Sequence, residues 1–150
     1  MRLAPASLLI LLLAACSPQP PAFTGGDIDA LAVEDTVVGD GNQARVGDLV
    51  SVHYTGWLHD ASAPEGRGER FDTSLERGRP FEFRIGAGRV IRGWDEGVAG
   101  MREGGRRVLM VPAEYGYGDR GASNVIPPGA SLVFEVELLG IVDPPRVSDR

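Results

Sequence analysis

Between residues 49 and 58 apolar and polar side chains alternate, with Val50, Val52 and Tyr54 on one side and Ser51, His53 and Thr55 on the other. Successive residues of a strand point to opposite faces, so this pattern predicts a half-buried β-strand. Residues 131–141 repeat it, with Leu132, Phe134, Val136 and Leu138 inward and Glu135 and Glu137 facing solvent. Further strands are predicted at 32–38, at 106–111 (stopped by Pro112), and as short pieces at 71–75 and 81–85. The turn signal Gly39-Asp40-Gly41-Asn42 closes the first of them. Residues 59–70 are polar, contain Pro64 and two glycines, and read as a loop that leaves His59 exposed. One helix is predicted from Ile91 or Arg92 to Met101, because Trp94, Val98 and Met101 fall at i, i+4 and i+7. Its local support is poor. Gly93 and Gly97 each cost up to about 1 kcal/mol relative to Ala, and no capping side chain precedes it. Such a helix survives by packing its Trp side against the sheet. The expected architecture is α+β, a curved antiparallel sheet wrapped around one short helix.

The N-terminus reads differently. Residues 3–13 are mostly Leu, Ile and Ala after Met1-Arg2, the length of a signal-peptide apolar region and short of the roughly 20 residues that span a bilayer. Leu13-Ala14-Ala15-Cys16 follows, and Cys16 is the single cysteine of the chain. The segment is similar to the lipobox of bacterial lipoproteins, in which the cysteine becomes the lipidated N-terminus. An ordinary secreted protein with an incidental cysteine is the alternative, but a lone thiol has no internal disulfide partner to explain its position. Residues 1–15 are therefore read as a signal peptide. Residues 16–31 are read as a lipidated Cys16 and a Pro- and Gly-rich tether, 32–142 as the folded domain and 143–150 as a flexible tail. The implied place is the cell envelope, with the domain in the periplasm. Ser17 after the cysteine resembles an outer-membrane signal more than an inner-membrane one. Residues 27–31 leave no room for a helical dimerisation segment before the domain, so a monomer is expected.

Composition narrows the function classes. Gly at 21 and Pro at 11 residues favour turn-rich β structure over a helical bundle. A formal charge of −6 argues against nucleic-acid binding, which depends on neutralising phosphates. All 15 basic residues are arginine, so no mechanism can use a catalytic lysine. One cysteine leaves no Cys/His cluster for zinc, and neither a metal nor an organic cofactor is expected. His53 and His59 belong to no nucleophile–base arrangement; His53 is expected to take a hydrogen bond beside the sheet. The glycines at 100, 104 and 105 lack the lysine of a phosphate loop.

What remains is a set of aromatic and aliphatic blocks in fixed order. They are V-H-Y-T-G at 52–56, F-D-T-S at 71–74, V-I-R-G-W-D-E-G-V at 90–98, Y-G-Y-G at 115–118, I-P-P at 126–128 and L-V-F-E-V-E-L-L at 132–139. Dispersed blocks of this kind suit a shallow apolar pocket assembled by folding. Together they resemble the FKBP-type peptidyl-prolyl isomerases over about residues 32–141. The resemblance implies Trp94 as the pocket floor, Tyr54, Phe81 and Phe134 as aromatic walls, and Phe71, Val90, Ile91 and Ile126 as apolar lining. It makes Asp72 and Tyr117 the polar tips, with Arg77 a basic neighbour of the aspartate. On this reading Asp72, Tyr117 and Trp94 are catalytic and the others bind substrate. The backbone N–H of Ile91 and the hydroxyl of Tyr117 would bond ligand carbonyls.

Read singly, these residues have plainer explanations. A Trp or Phe in a regular element is ordinarily core, and Phe83 is assigned there; Asp72 could be a turn residue and Arg77 a solvated charge. The resemblance implies turnover of X–Pro bonds in proline-containing peptides or unfolded envelope proteins, with macrolides as a further ligand class. A peptide-binding module of the same fold with little turnover is the competing reading. A purely structural lipoprotein leaves the aromatic set unexplained. Two segments depart from the pattern. Residues 57–70 are longer than in compact relatives, and are either a modulator of substrate approach or a surface insertion. D-R-G-A-S-N-V at 119–125 places Ala122 where a histidine is commoner.

Overall fold

The structure, a computed structural model, describes residues 22–142. The signal-peptide, Cys16 and C-terminal-tail assignments lie outside the described residues. Six strands form one antiparallel sheet: β1 (Ala32–Val37), β2 (Leu49–His59), β3 (Arg67–Thr73), β4 (Phe81–Arg84), β5 (Arg106–Val111) and β6 (Leu132–Ile141). Their order is β1-β5-β6-β2-β3, with β4 also paired to β2. Among the described residues a single α-helix, α1 (Arg92–Gly97), lies against the concave face, and short 3-10 turns fill the connections. This is the α+β architecture that the residue pattern predicts.

The alternation in β2 and β6 sets the core. Val50, Val52, Leu132, Phe134, Val136 and Leu138 are all buried on one side, together with Phe83, Trp94, Val98, Met101 and Leu109. The opposite face is less open than expected. Val133 is fully buried there. Glu135 and Glu137 are half-buried rather than free in solvent. Glu135 meets Arg67 at 3.0 Å, and Glu137 meets Arg106, its partner in register, at 3.5 Å.

The helix is shorter than its apolar stripe, because Val98 to Met101 turns away to bond residue 44 from both sides. As expected, it has no side-chain cap. Its glycines, liabilities for an isolated helix, are what allow it to sit on β5. A Cβ on Gly93 would lie 2.7 Å from Val111, and one on Gly97 would lie 3.0 Å from Leu109. Close approach brings Trp94 into the centre of the concave face. Arg107, only 8% exposed, ties the same region together. It makes two bonds to Asp35 on β1, at 2.6 and 2.9 Å, and donates to the carbonyls of Gly97 and Ala99 at the end of the helix. The bonded guanidinium holds the Asp35 carboxyl below its ordinary range, against a smaller opposing effect of burial.

Residues 59–70 depart from the expected loop. Pro64–Gly66 is a 3-10 turn, and β3 starts at Arg67, four residues before the predicted strand. His59 is not exposed: it ends β2 with 8% of its surface accessible. Three contacts cover it. Its N–H bonds the Ser131 carbonyl, Gly66 presses on its ring, and Gly25 comes against its carbonyl. His53 does take its expected bond, with Nδ1 2.9 Å from the Ser74 hydroxyl. Residues 22–31 carry no helix or strand. They nonetheless lie on the domain, for Phe23 and Leu31 pack against the core and the Ile28 N–H bonds Ser131 Oγ at 3.0 Å.

Candidate active site

The site begins with a break in the edge of β2. One half of that edge, from Thr55 on, pairs with β3, and the other, Leu49 to Val52, pairs with β4. Tyr54 sits between them. Its backbone groups would be left without a ladder partner, and Ser74 supplies them: the Tyr54 N–H donates to Ser74 Oγ at 2.9 Å, and the Ser74 N–H donates to the Tyr54 carbonyl at 3.0 Å. Ser74 is fully buried in this role. The bonds fold the chain after β3 back over Tyr54 and so bring Asp72 and Arg77 to its ring.

The three polar groups close a triangle. The Tyr54 hydroxyl donates to Asp72 at 2.5 Å, Arg77 donates to the other Asp72 oxygen at 2.7 Å, and a second Arg77 nitrogen donates to the Tyr54 hydroxyl at 2.8 Å. Burial pushes the Asp72 carboxyl up. The bonds from Tyr54 and Arg77 and the arginine charge outweigh it and hold the group below its ordinary range. Burial and the bonded carboxylate push the Tyr54 phenol up, against the opposing pull of Arg77. Asp72 is therefore a fixed anion at neutral pH, and Tyr54 a fixed donor.

Behind the triangle lies the aromatic floor. The Trp94 ring is met edge-on by Tyr54 at 4.9 Å, Phe134 at 5.4 Å and Phe81 at 5.9 Å. Phe83 tilts against it at 5.4 Å. Phe71 braces Phe134 at 5.6 Å. Such perpendicular pairs are the favoured aromatic geometry. Trp94 is only 4% exposed, yet an open cavity of about 180 Å³ lies beside it. Tyr54, Phe71, Asp72, Phe81, Val90, Ile91, Tyr117 and Phe134 line that cavity with it. A cavity near 150 Å³ accepts benzene, so the space suffices for a five-membered ring. The backbone N–H of Ile91 and the hydroxyl of Tyr117 have no hydrogen-bond partner among the described residues. Tyr117, 39% exposed, stands at the rim, its phenol pushed up by burial and then by the Asp72 charge.

Nine of the predicted site residues thus surround one cavity, and two do not. Ile126 is 4% exposed, belongs to the core, is bridged to Ala122 and is absent from the cavity lining, while Pro127 and Pro128 are half-buried. Arg77 lies outside the lining, in an adjoining hollow with Arg70, Thr73 and Glu76, and acts on the cavity through Asp72 and Tyr54. Two residues escaped the sequence reading. Ser74 stands in the quoted F-D-T-S block, but only the pairing of β2 reveals its task. Arg89 lines the cavity directly; its position next to Val90 and Ile91 was the available signal. Among the described residues no group of three or more His, Cys, Asp or Glu side chains is placed to hold a metal ion.

The chain is similar to known proteins in sequence and in fold. Residues 41–139 match a family described as FKBP-type peptidyl-prolyl cis-trans isomerase. An FK506-binding protein of Neisseria meningitidis serogroup A is 50% identical over 114 residues, 76% of this chain and 98% of that protein. The Homo sapiens peptidyl-prolyl cis-trans isomerase FKBP2 is 52% identical over 99 residues, 66% of this chain and 65% of that one. The crystal structure of AtFKBP13 superposes with a TM-score of 0.65 at 41% identity, covering 79% of this chain and 98% of that chain. FkpA from Escherichia coli gives 0.62 at 38% identity, covering 74% of this chain and 47% of that one.

Proposed function

The chain belongs to the FKBP-type peptidyl-prolyl cis–trans isomerase family, and from that premise we propose that it catalyses rotation about X–Pro peptide bonds in the cavity above Trp94. The observation that carries this reading is an apolar hollow of about 180 Å³ with a fixed anion and unengaged donors at its edge. Rotation about a prolyl bond costs roughly 20 kcal/mol because amide resonance is lost on the way. The twisted amide is less dipolar than the planar one, so water favours the planar form. A dry cavity removes that preference and thereby lowers the barrier. This is differential binding with no covalent intermediate.

Each group has a part in it. Trp94, Phe81, Val90 and Ile91 hold the pyrrolidine ring, while Tyr54, Phe71 and Phe134 exclude water and set the shape. The Ile91 N–H and the Tyr117 hydroxyl receive substrate carbonyls. Asp72 holds Tyr54 in place and presents a carboxylate to the rotating bond; no proton needs to move. Substrates are proline-containing peptides and unfolded proteins. Macrolides are a further ligand class, supported by the relatives named FK506-binding protein. The Leu13-Ala14-Ala15-Cys16 sequence supports a lipid anchor at Cys16 and a place in the bacterial cell envelope, Ser17 favours the outer membrane before the inner, and the short 27–31 segment favours a monomer; its role there is to assist the folding of envelope proteins.

The test is a cis-to-trans assay on a short proline peptide with the chain purified in detergent. Acceleration that scales with protein concentration is the expected result. Saturable binding with an unchanged isomerisation rate would replace the enzyme by a peptide-binding module. Labelling with radioactive palmitate, compared with Cys16→Ser, tests the anchor.

A further inference from the structure

Two charged side chains line the cavity, Asp72 and Arg89. Asp72 is compensated, because Arg77 bonds it at 2.7 Å and Tyr54 at 2.5 Å. Arg89 is not: it makes no hydrogen bond or ion pair among the described residues. Arg92, three residues on, is occupied by Glu96 at 2.6 Å and lies over the Tyr115 ring. The mouth of the hollow therefore carries one uncompensated positive charge, although the chain as a whole stands at −6.

We infer that Arg89 is a specificity-determining residue that favours proline peptides with an Asp or Glu next to the proline. Arg89 directly precedes Val90 and Ile91, which line the same cavity. A peptide whose proline ring fills the hollow thus brings its neighbouring side chains within reach of the guanidinium. That group offers a planar fork of donors matched to a carboxylate. Arg89 is exposed, so solvent screens the pair and the preference is a few-fold, as for surface ion pairs. The acidic remainder of the chain works in the opposite direction. Without Arg89 the acidic peptide therefore has no advantage.

This inference rests on the isomerase reading, and the experiment separates the two. Peptides with Glu, Gln or Lys directly before or directly after proline are compared for binding, by indole fluorescence, and for kcat/KM. The expected result is a preference of two- to five-fold for Glu over Gln at one of the two positions, with Lys poorest. The preference is expected to shrink between 0.05 and 0.5 M salt, roughly as the Debye length shortens. Arg89→Gln is expected to abolish the ratio and Arg89→Glu to invert it in favour of Lys. Equal constants for Glu, Gln and Lys in the unsubstituted chain, or a ratio that survives Arg89→Glu, would overturn the assignment. No turnover of the Gln peptide would count against the isomerase reading alone, since the binding constants still report the charge preference.

Discussion

The hydroxyl of Tyr54 donates a 2.5 Å hydrogen bond to Asp72, and this bond joins the aromatic wall of the cavity to the fixed anion at its edge. Asp72→Ala removes the anion and releases both Tyr54 and Arg77. The site is at the surface, so the fold is expected to persist. Turnover is expected to fall roughly ten-fold, about 1.4 kcal/mol of barrier. Circular dichroism and kcat/KM on a neutral peptide check both halves of the statement.

The same bonds fix the pH dependence. The folded carboxyl of Asp72 lies below its ordinary range, and the Tyr54 phenol above its own. A depressed carboxyl contributes stability that is present above its unfolded pKa and is lost as pH falls through the folded value. Activity is therefore expected to be flat between about pH 5 and 9, bracketed by the ordinary carboxylate and phenol ranges, and to fall in stronger acid as Asp72 protonates and in stronger base as Tyr54 ionises. A bell centred near neutrality in a pH–rate profile would contradict a mechanism without proton transfer.

Gly56 lies where β2 passes beneath two rings. A Cβ there would stand 2.7 Å from Phe71 Cζ and 2.8 Å from Phe134 Cε1. Gly56→Ala is expected to destabilise by about 1–3 kcal/mol through overpacking and to raise KM by pushing the walls inward. Urea unfolding with steady-state kinetics reads both effects.

Trp94 carries the floor, touched by four rings. Trp94→Ala is expected to cost roughly 3–5 kcal/mol in thermal or urea unfolding. Turnover should be lost wherever the variant remains folded.

Ser74 and Arg107 do their work away from the cavity. Ser74→Ala leaves the part-buried Tyr54 N–H without an acceptor and is expected to cost about 1–2 kcal/mol. Arg107→Ala strips the caps from the Gly97 and Ala99 carbonyls and unpairs Asp35. A loss of about 1–3 kcal/mol is expected from the unsatisfied carbonyls, with little from the solvent-screened Asp35 pair, again measured by urea unfolding.

Much of this was legible in the residue order. Alternation in β2 and β6 named the buried face, and the apolar stripe found the helix. The resemblance groups Tyr54, Phe71, Asp72, Phe81 and Trp94 in one site, and all five line one cavity. The misreadings have physical causes. Arg67 to Arg70 are polar enough to read as loop, yet they form a strand because β2 offers them a free edge. His59 is a polar residue buried by contacts from residues 25, 66 and 131, which no local pattern encodes. Gly93 and Gly97 read as weaknesses because the reason for them, Val111 and Leu109, lies on another strand. Ile126 carries an apolar side chain that suits cavity and core equally; it is buried in the core cluster that also holds Trp94 and Phe134, and is not among the cavity-lining residues.

The central claim is that the hollow beside Trp94 speeds rotation of a prolyl bond. Exchange between the cis and trans signals of a proline peptide, followed by NMR with the chain at a small fraction of the peptide concentration, tests it most directly. The account predicts exchange within milliseconds to a second, blocked by a macrolide competitor and weakened in Asp72→Ala. Signals that shift on binding while cis and trans still interconvert at the uncatalysed rate of tens of seconds would contradict it.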